Sequence, residues 1–307
     1  MHSRRRLLLL LFVVVCAGAL GWTARKPLFY GILTVFGNPK CTVRDVLASK
    51  ANRGMGGDVE KALLARMRRV RTEPGGFELW ETPDGPYWVP RGHLLAHNLS
   101  EQERGVYEGD ARQRVHPGDV VIDCGANVGL FTRRALKAGA KFVVAVEPSP
   151  ENLVCLRRNF EAEVGAGTVQ IVPKGVFDHE GELGFRIIED NTTGNRFVVN
   201  PTPTQAASLL LLPITTIDRL VEELPLARVD FIKMDIEGSE QYAMKGALQT
   251  IKRFRPRMAI SVYHRRTDAD TIPALVTSAD SGYRMQCGAC SFSRRQRRLA
   301  PEIMFFN

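Results

Sequence analysis

Three carboxylates, Asp235, Glu237 and Glu240, follow the apolar run Phe231-Ile232-Lys233-Met234 in a chain of net charge +9. A second apolar run ends at Tyr263 and is followed by His264. Acids and an imidazole at strand ends can cap a helix, hold a metal ion or move protons. His264 or Asp235 would suit a general base, the other orienting it, with Glu237 helping from the turn. Glu240 falls in the first turn of the next helix, where the positive end of the dipole favours an acid, and reads as structural. A divalent ion on Asp235, Glu237 and His264 is the lesser variant. Its donors are mostly oxygens, and the single imidazole fits an all-oxygen site poorly. The reading therefore carries no metal.

Other strand ends carry chemistry too. "DCGANVG" holds Asp123, Gly125, Asn127 and Gly129. Its glycines permit a tight turn and close approach of a ligand to backbone N–H groups. The spacing G-x-N-x-G is not the G-x-G-x-x-G of dinucleotide folds. A carboxylate here would repel a diphosphate but suit a cationic or zwitterionic ligand. Glu147, before Pro148, lies where an acid accepts hydrogen bonds from ribose hydroxyls. Asp178 could accept from an exocyclic amine of adenine, or could serve only the turn "DHEG".

These residues need a scaffold that presents strand ends together. Nearly unbroken apolar strands are read at 119–124, 141–148, 168–173, 229–234 and 257–263. Helices are read at 130–140, 149–162, 215–224, 239–254 and 271–281, and short strands at "YRMQC" and "EIMFF" close the chain. Such alternation implies a parallel sheet covered on both faces, with ligands beyond the carboxyl ends of its strands. "GELGFRII" and "NRFVV" form an edge hairpin, and 189–207 a polar loop. Further upstream, 58–71 has the apolar spacing of an amphipathic helix, and "WETPDGPYWVP" reads as a hairpin.

The chain has 307 residues, 44% hydrophobic and 24% charged, the balance of a globular protein. Its positive charge is concentrated at the start. Residues 1–72 hold fourteen Lys/Arg against three Asp/Glu, which leaves the remainder slightly acidic. The uncharged run Leu7–Trp22 sits inside this basic arm. As a helix it would reach ~24 Å against a hydrocarbon core of ~30 Å. It reads as a short membrane anchor, with a cleaved signal peptide as the alternative because Ala17-Gly18-Ala19 resembles a cleavage site. Flanking basic residues balance, so the positive-inside rule gives no orientation. Six cysteines follow no disulfide framework, and Cys287 and Cys290 read as incidental thiols, since a zinc site needs about four ligands.

Together "GDVVIDCGANVGLFT", "VVAVEPSPEN", "TTIDRL", "VDFIKMDIEGSEQYAMKGA" and "RPRMAISVYH" resemble the FkbM-type methyltransferases, a class I S-adenosylmethionine-dependent family. The resemblance runs from about Glu103 to the C-terminus. It implies an α/β fold, a Rossmann-like class I methyltransferase sheet with helices on both faces, here with an N-terminal hydrophobic anchor. It implies S-adenosylmethionine as cofactor, with Asp123, Gly125, Asn127 and Gly129 at its methionine part, Glu147 at the ribose, Asp178 near adenine and Asp235 beside the methyl group. The family makes O-methylation of a sugar, glycan or small metabolite the expected reaction, with His264, Asp235 and Glu237 as catalytic residues. The organisation expected is 1–26 anchor or signal, 27–100 linker with a helical and hairpin extension, and 101–307 methyltransferase domain.

An NAD(P)-dependent oxidoreductase and a nucleic-acid methyltransferase are the alternatives. The glycine spacing speaks against the first. The position of the basic surplus, and the absence of an Asn/Asp-Pro-Pro-aromatic motif after the fourth strand, speak against the second. A third reading, a non-enzymatic membrane-tethered binding protein, conflicts with the full set of strand-end acids. The expected partners are therefore a small-molecule or glycan acceptor and a membrane, not nucleic acid. Because the donor is made in the cytosol, a single-pass protein with its domain on the cytosolic side is the expected placement.

Overall fold

The computed structural model describes residue 41, residues 56–188, 191–293 and 298–307. A helix at 56–64 opens the continuous part. The helical spacing read over 58–71 breaks there, and Arg68–Thr72 forms strand β1 instead. Arg68 and Arg69 donate to Glu81 and Glu78 across the strand pair, partners that a continued helix would not offer. Those glutamates belong to or flank β2 (Phe77–Thr82), which turns into β3 (Gly85–Pro90) as the hairpin expected from its Pro-Asp-Gly turn.

This extension is fastened to the rest of the chain. Asn159 accepts from the Trp88 N–H at 2.7 Å and donates to the Trp88 and Val128 carbonyls, both at 2.9 Å. The Arg133 guanidinium lies 3.9 Å from the centre of the buried Tyr87 ring. The helix Leu95–Glu103 then leads into the sheet.

The five apolar runs form β4 (Val120–Cys124), β5 (Phe142–Val146), β6 (Val169–Val172), β11 (Phe231–Met234) and β12 (Arg257–Ser261), pairing in parallel. Between β6 and β11 lies a separate four-stranded sheet of β7 (Gly175–Val176), β8 (Gly181–Arg186), β9 (Arg196–Phe197) and β10 (Leu210–Thr215). The β8–β9 hairpin is as expected. β10 was not legible, because its first half is exposed and it alternates poorly. After β12 come β13 (Met285–Cys287), the hairpin β14 (Cys290–Ser293) with β15 (Arg298–Pro301), and β16 (Ile303–Phe306). The seven-stranded order is β13-β16-β12-β11-β4-β5-β6, with β16 antiparallel to β12.

Residues alternate between the two faces of this sheet. Ile122, Val144, Ile232 and Ile260 pack under Leu220, Met244, Ile251 and Ile272. Val121, Val143, Phe231 and Ala259 pack under Phe131, Leu156 and Phe160 on the other side. Both faces are thereby covered, as near-continuous apolar strands require. The strand order reverses beside β4, between its neighbours β5 and β11, so a crevice opens at the carboxyl ends of these strands. The helix read over 239–254 is two helices, Glu240–Lys245 and Leu248–Phe254. The break falls at Gly246, where a Cβ would meet the Phe177 carbonyl at 2.2 Å, so the backbones touch only because the residue is glycine.

Two expectations from the sequence are corrected. Among the described residues no helix is long and apolar enough to cross a membrane, and the run Leu7–Trp22 lies outside them. The described residues therefore give the expected single-pass membrane placement no support. Cys290 is not an incidental thiol but is bonded to Cys41, both buried, across 249 positions of sequence. The pairing was hidden because Cys41 lies 249 positions away, while the short Cys-x-x-Cys spacing joins Cys290 to Cys287 instead.

Candidate active site

The turn after β4 is closed by its own backbone. The Gly125 and Ala126 N–H groups both donate to the Val146 carbonyl at 3.0 Å. Gly125 has φ +76°, and a Cβ there would lie 2.0 Å from the Asp235 carbonyl oxygen. The turn thus packs backbone to backbone against the end of β11, which only glycine allows. Asn127 also adopts positive φ (54°). Its N–H donates to Glu147 Oε2 at 2.9 Å, and its side-chain oxygen accepts from Val128 N–H and from His93 Nε2. Burial pulls the His93 pKa down to about 4, so its neutral ring donates that bond.

Glu147 is buried and also accepts from the Ser149 N–H and from Asn152 Nδ2. Burial raises its pKa against the pull of these hydrogen bonds. Three donors leave a carboxylate with acceptor capacity for a ligand hydroxyl. Asn152 Oδ1, Thr192 Oγ1 and Ser239 Oγ are buried on the same cleft wall and have no hydrogen-bond partner among the described residues. The cleft runs from Gly125 and Asn127 past Glu147 to Phe185 and Phe197, with Asp235 and Glu237 at its inner end. Orphaned polar atoms, a buried acid and apolar rings suit a ligand with hydroxyls, positive charge and a flat heterocycle, as S-adenosylmethionine has.

Three expected contacts do not line the cleft. Asp123 is fully buried off the cleft wall, where it accepts from Thr132 Oγ1 at 2.8 Å and pairs with Lys233 at 3.2 Å. It fixes the turn from beneath. Asp178 is also off the wall and pairs with His179 at 2.7 Å. Gly129 takes up positive φ at the end of the turn and lines neither cavity.

Asp235 is the meeting point of two spaces. It lines the cleft and also a second, polar cavity of about 270 Å³; both are walled by Gly125, Asn127, Thr193, Asp235 and Glu237. The Tyr107 hydroxyl donates to Asp235 Oδ2 at 2.5 Å. Burial works to raise the Asp235 pKa, but His264, Lys233 and the Tyr107 bond outweigh it and hold the carboxyl below its usual range. Asp235 is a fixed negative charge and a weak base.

Glu240 does more than start a helix. Fully buried, it accepts from the Ile236 and Gly238 N–H groups at 2.9 and 3.0 Å and bonds His264 Nδ1 at 2.9 Å. That clamp holds Glu237 at positive φ (55°) in the turn. On its other side His264 Nε2 lies 3.5 Å from Glu237 and 3.7 Å from Asp235. Burial opposes charge on His264, yet Glu240, Glu237 and Asp235 together raise its pKa well above the ordinary value. His264 therefore carries its proton at neutral pH and is not available to accept another. Asp235, Glu237 and His264 offer atoms within 4.8 Å of one another, a spacing that a metal could use. An ion would have to displace the His264 proton, and without one three acids surround a single imidazolium, which leaves the cluster net negative.

The sign of that balance is testable. A raised histidine pKa stabilises the fold fully below the unfolded value of ~6.5, and this stability is lost as pH rises through the higher folded value. His264→Gln is expected to lower the melting temperature most at pH 6 and progressively less above pH 8. An equal loss at all pH values would show that the imidazole is neutral in the fold.

Sequence reasoning missed Lys233, Tyr107 and Glu101. Lys233 had a signal, since a charge inside an apolar strand needs a buried partner. Tyr107 had none, being 128 residues from the aspartate it holds.

A family model described as the methyltransferase FkbM domain matches residues 123–285. The AMB antimetabolite synthetase AmbE of Pseudomonas aeruginosa is 28% identical over 227 residues, covering 60% of this chain and 10% of that protein. The methyltransferase FkbM structure from Methylobacillus flagellatus KT superposes with a TM-score of 0.46 at 21% identity, over 70% of this chain and 54% of that one. Fibrillarin of Aeropyrum pernix with bound S-adenosyl-L-methionine gives a TM-score of 0.38 at 12% identity, over 78% of this chain and 98% of that one. The chain thus spans about a tenth of the curated relative and about half of the FkbM structure. The match over 123–285 takes in more than half the chain, including the glycine turn, Glu147 and the whole Asp235–His264 cluster, and the protein belongs to the FkbM methyltransferase family.

Proposed function

We propose that the protein is an S-adenosylmethionine-dependent O-methyltransferase acting on a hydroxyl of a sugar, glycan or small metabolite. The observation that carries this reading is the meeting of the cleft, with its buried Glu147 and unpartnered polar atoms, with a separate polar cavity at Asp235 and Glu237. A methyl group crossing from one space to the other must pass these residues. In this reading the Gly125–Asn127 turn and Glu147 hold the methionine and ribose parts of the donor, while Phe185 and Phe197 flank the heterocycle. The bound donor supplies an electrophilic methyl on a sulfonium. Asp235 and Glu237 orient the acceptor for in-line attack, with Tyr107 and His264 keeping Asp235 in place.

Several features favour a small hydroxylated acceptor. The cavity lies just under the ~300–1,000 Å³ of ordinary small-ligand pockets. Its wall is rich in amide, carboxylate and phenol groups, which recognise hydroxyls in several directions. The curated relative's name, an antimetabolite synthetase, agrees with a small-molecule acceptor. Incubation with methyl-tritiated S-adenosylmethionine and panels of glycosides, catechols, amines and RNA tests the reading. Label is expected on hydroxyls of a glycoside or phenol, in EDTA as well as without it. Label on RNA or amines only would overturn it. Activity lost in EDTA and restored by Mn²⁺ would convert the Asp235–Glu237–His264 cluster into a metal centre.

A further inference from the structure

Transfer to a hydroxyl releases one proton, and the two acceptors that sequence pattern suggested are poorly suited to it. His264 is already protonated, and Asp235 is held in its ionised form by His264, Lys233 and Tyr107. The tyrosines at the cavity, Tyr107 and Tyr263, have their pKa values raised well above the phenol range, Tyr107 chiefly by burial and Tyr263 chiefly by the Asp235 charge. Two further carboxylates line the cavity: Glu237, which lies 3.5 Å from the His264 imidazole, and Glu101, carried by the helix Leu95–Glu103. Glu101 shares the cavity wall with Asp235, Glu237, Tyr107 and Tyr263.

We propose that Glu101 is the general base that takes the hydroxyl proton as the methyl group is transferred. The inference rests on the O-methyltransferase reading above. In the step, the acceptor oxygen forms a bond to the methyl carbon, the carbon–sulfur bond breaks with its pair remaining on sulfur, and the O–H proton passes to a Glu101 oxygen. The sulfonium charge is thereby neutralised, and the released proton is held by the protein until product leaves.

The surroundings of Glu101 tune it for this. Burial raises its pKa first and the Asp235 charge raises it further, while His97 and Arg104 lower it and Glu302 raises it, giving about 7. His97, one turn back on the same helix, lies 3.7 Å from Glu101 and also 3.2 Å from Glu60. The imidazole thus lies between the two carboxylates. A base with a pKa near the working pH combines a useful ionised fraction with useful basicity. The helix that carries it precedes residues 123–285, so the proton acceptor comes from the chain's own extension and not from the matched family segment.

The test uses the full chain, with and without donor. In the apo protein, carboxyl carbon NMR of ¹³C-labelled glutamate, assigned by loss of a signal in Glu101→Gln, is expected to show Glu101 titrating near pH 7. Its pKa is higher folded than unfolded, so its ionisation costs stability as pH rises from ~4.5 to ~7. Glu101→Gln should therefore lose less melting temperature than the wild type between pH 5 and 8. With tritiated S-adenosylmethionine and a mixture of methyl glucoside, methyl rhamnoside and catechol, wild-type kcat/KM should rise through pH 7 to a plateau. Glu101→Gln should lower kcat by about 10²–10³-fold, abolish that limb and leave the donor Kd within threefold, while Glu101→Asp recovers part of the rate. A Glu101 signal titrating below pH 5.5, or a limb that persists in Glu101→Gln, overturns the assignment even if hydroxyls are methylated. Label transfer to amines but to no hydroxyl overturns the underlying reading instead, and the proton route with it.

Discussion

Asp235→Asn is expected to lower kcat/KM for methyl transfer by about 10²-fold or more while the fold persists. Asparagine keeps the shape of the side chain and can still accept from the Tyr107 hydroxyl. What it removes is the fixed negative charge on the wall shared by cleft and cavity. Three consequences follow from that one charge. The sulfonium side loses a nearby compensating anion. His264 loses one of the three carboxylates around it, so its proton is held less firmly. Glu101 loses the anion that raises its pKa, so it becomes a weaker base and the acid limb of the pH–rate profile should move to lower pH. The last effect separates charge from shape. A rate loss with the limb unmoved would mean that Asp235 acts only by positioning. Wild-type turnover in Asp235→Asn would remove it from the mechanism.

The parts of this design that were legible share one property: they are local. Strands β4, β5, β6, β11 and β12 announce themselves as unbroken apolar runs, and the turn Gly125–Gly129 by glycines directly after one of them. Glu147, Asp235 and His264 could be singled out because each ends such a run. What could not be read depends on distant chain segments. Glu101 and Tyr107 come from the extension and meet Asp235 only through the fold. Asp123 looked like a ligand contact because it ends a strand, yet Lys233 draws it beneath the turn. His264 looked like a base because histidine usually is one, but the turn after β11 folds three carboxylates around it, and they raise its pKa. Charge state is a property of neighbours, and neighbours are what a one-dimensional pattern omits.

The same division runs through the two spaces. The cleft is built mainly by the strand ends and by the β7–β10 sheet, whereas the helix Leu95–Glu103 and Tyr107 wall the second cavity. Chemistry common to a family can stay with the first set while acceptors change with the second, because a scaffold tolerates changes in the segments that cap it.

The second large effect is on stability. Lys233→Met is expected to destabilise the fold by about 3–5 kcal/mol, the cost of breaking a buried ion pair by removing one partner. Lys233 is only 5% exposed, and its ammonium lies 3.2 Å from the fully buried Asp123 and donates to the Gly125 carbonyl at 2.8 Å. The rings of Tyr107 and Phe131 lie 5.3 and 6.0 Å from the ammonium. Methionine fills the volume but leaves the Asp123 carboxylate with the Thr132 hydroxyl and no counter-charge. Against a typical total of ~5–15 kcal/mol, such a loss brings the protein close to unfolding at physiological temperature. Adding Asp123→Asn to Lys233→Met should restore much of the stability, because the stranded charge is gone. The measurement is urea unfolding of the wild type, both single variants and the double variant, comparing midpoints at constant slope. Lys233→Met within 1 kcal/mol of the wild type would mean that Asp123 is neutral or solvated in the fold. A double variant no more stable than Lys233→Met would mean that Lys233 acts through the Gly125 carbonyl and the turn, not through Asp123.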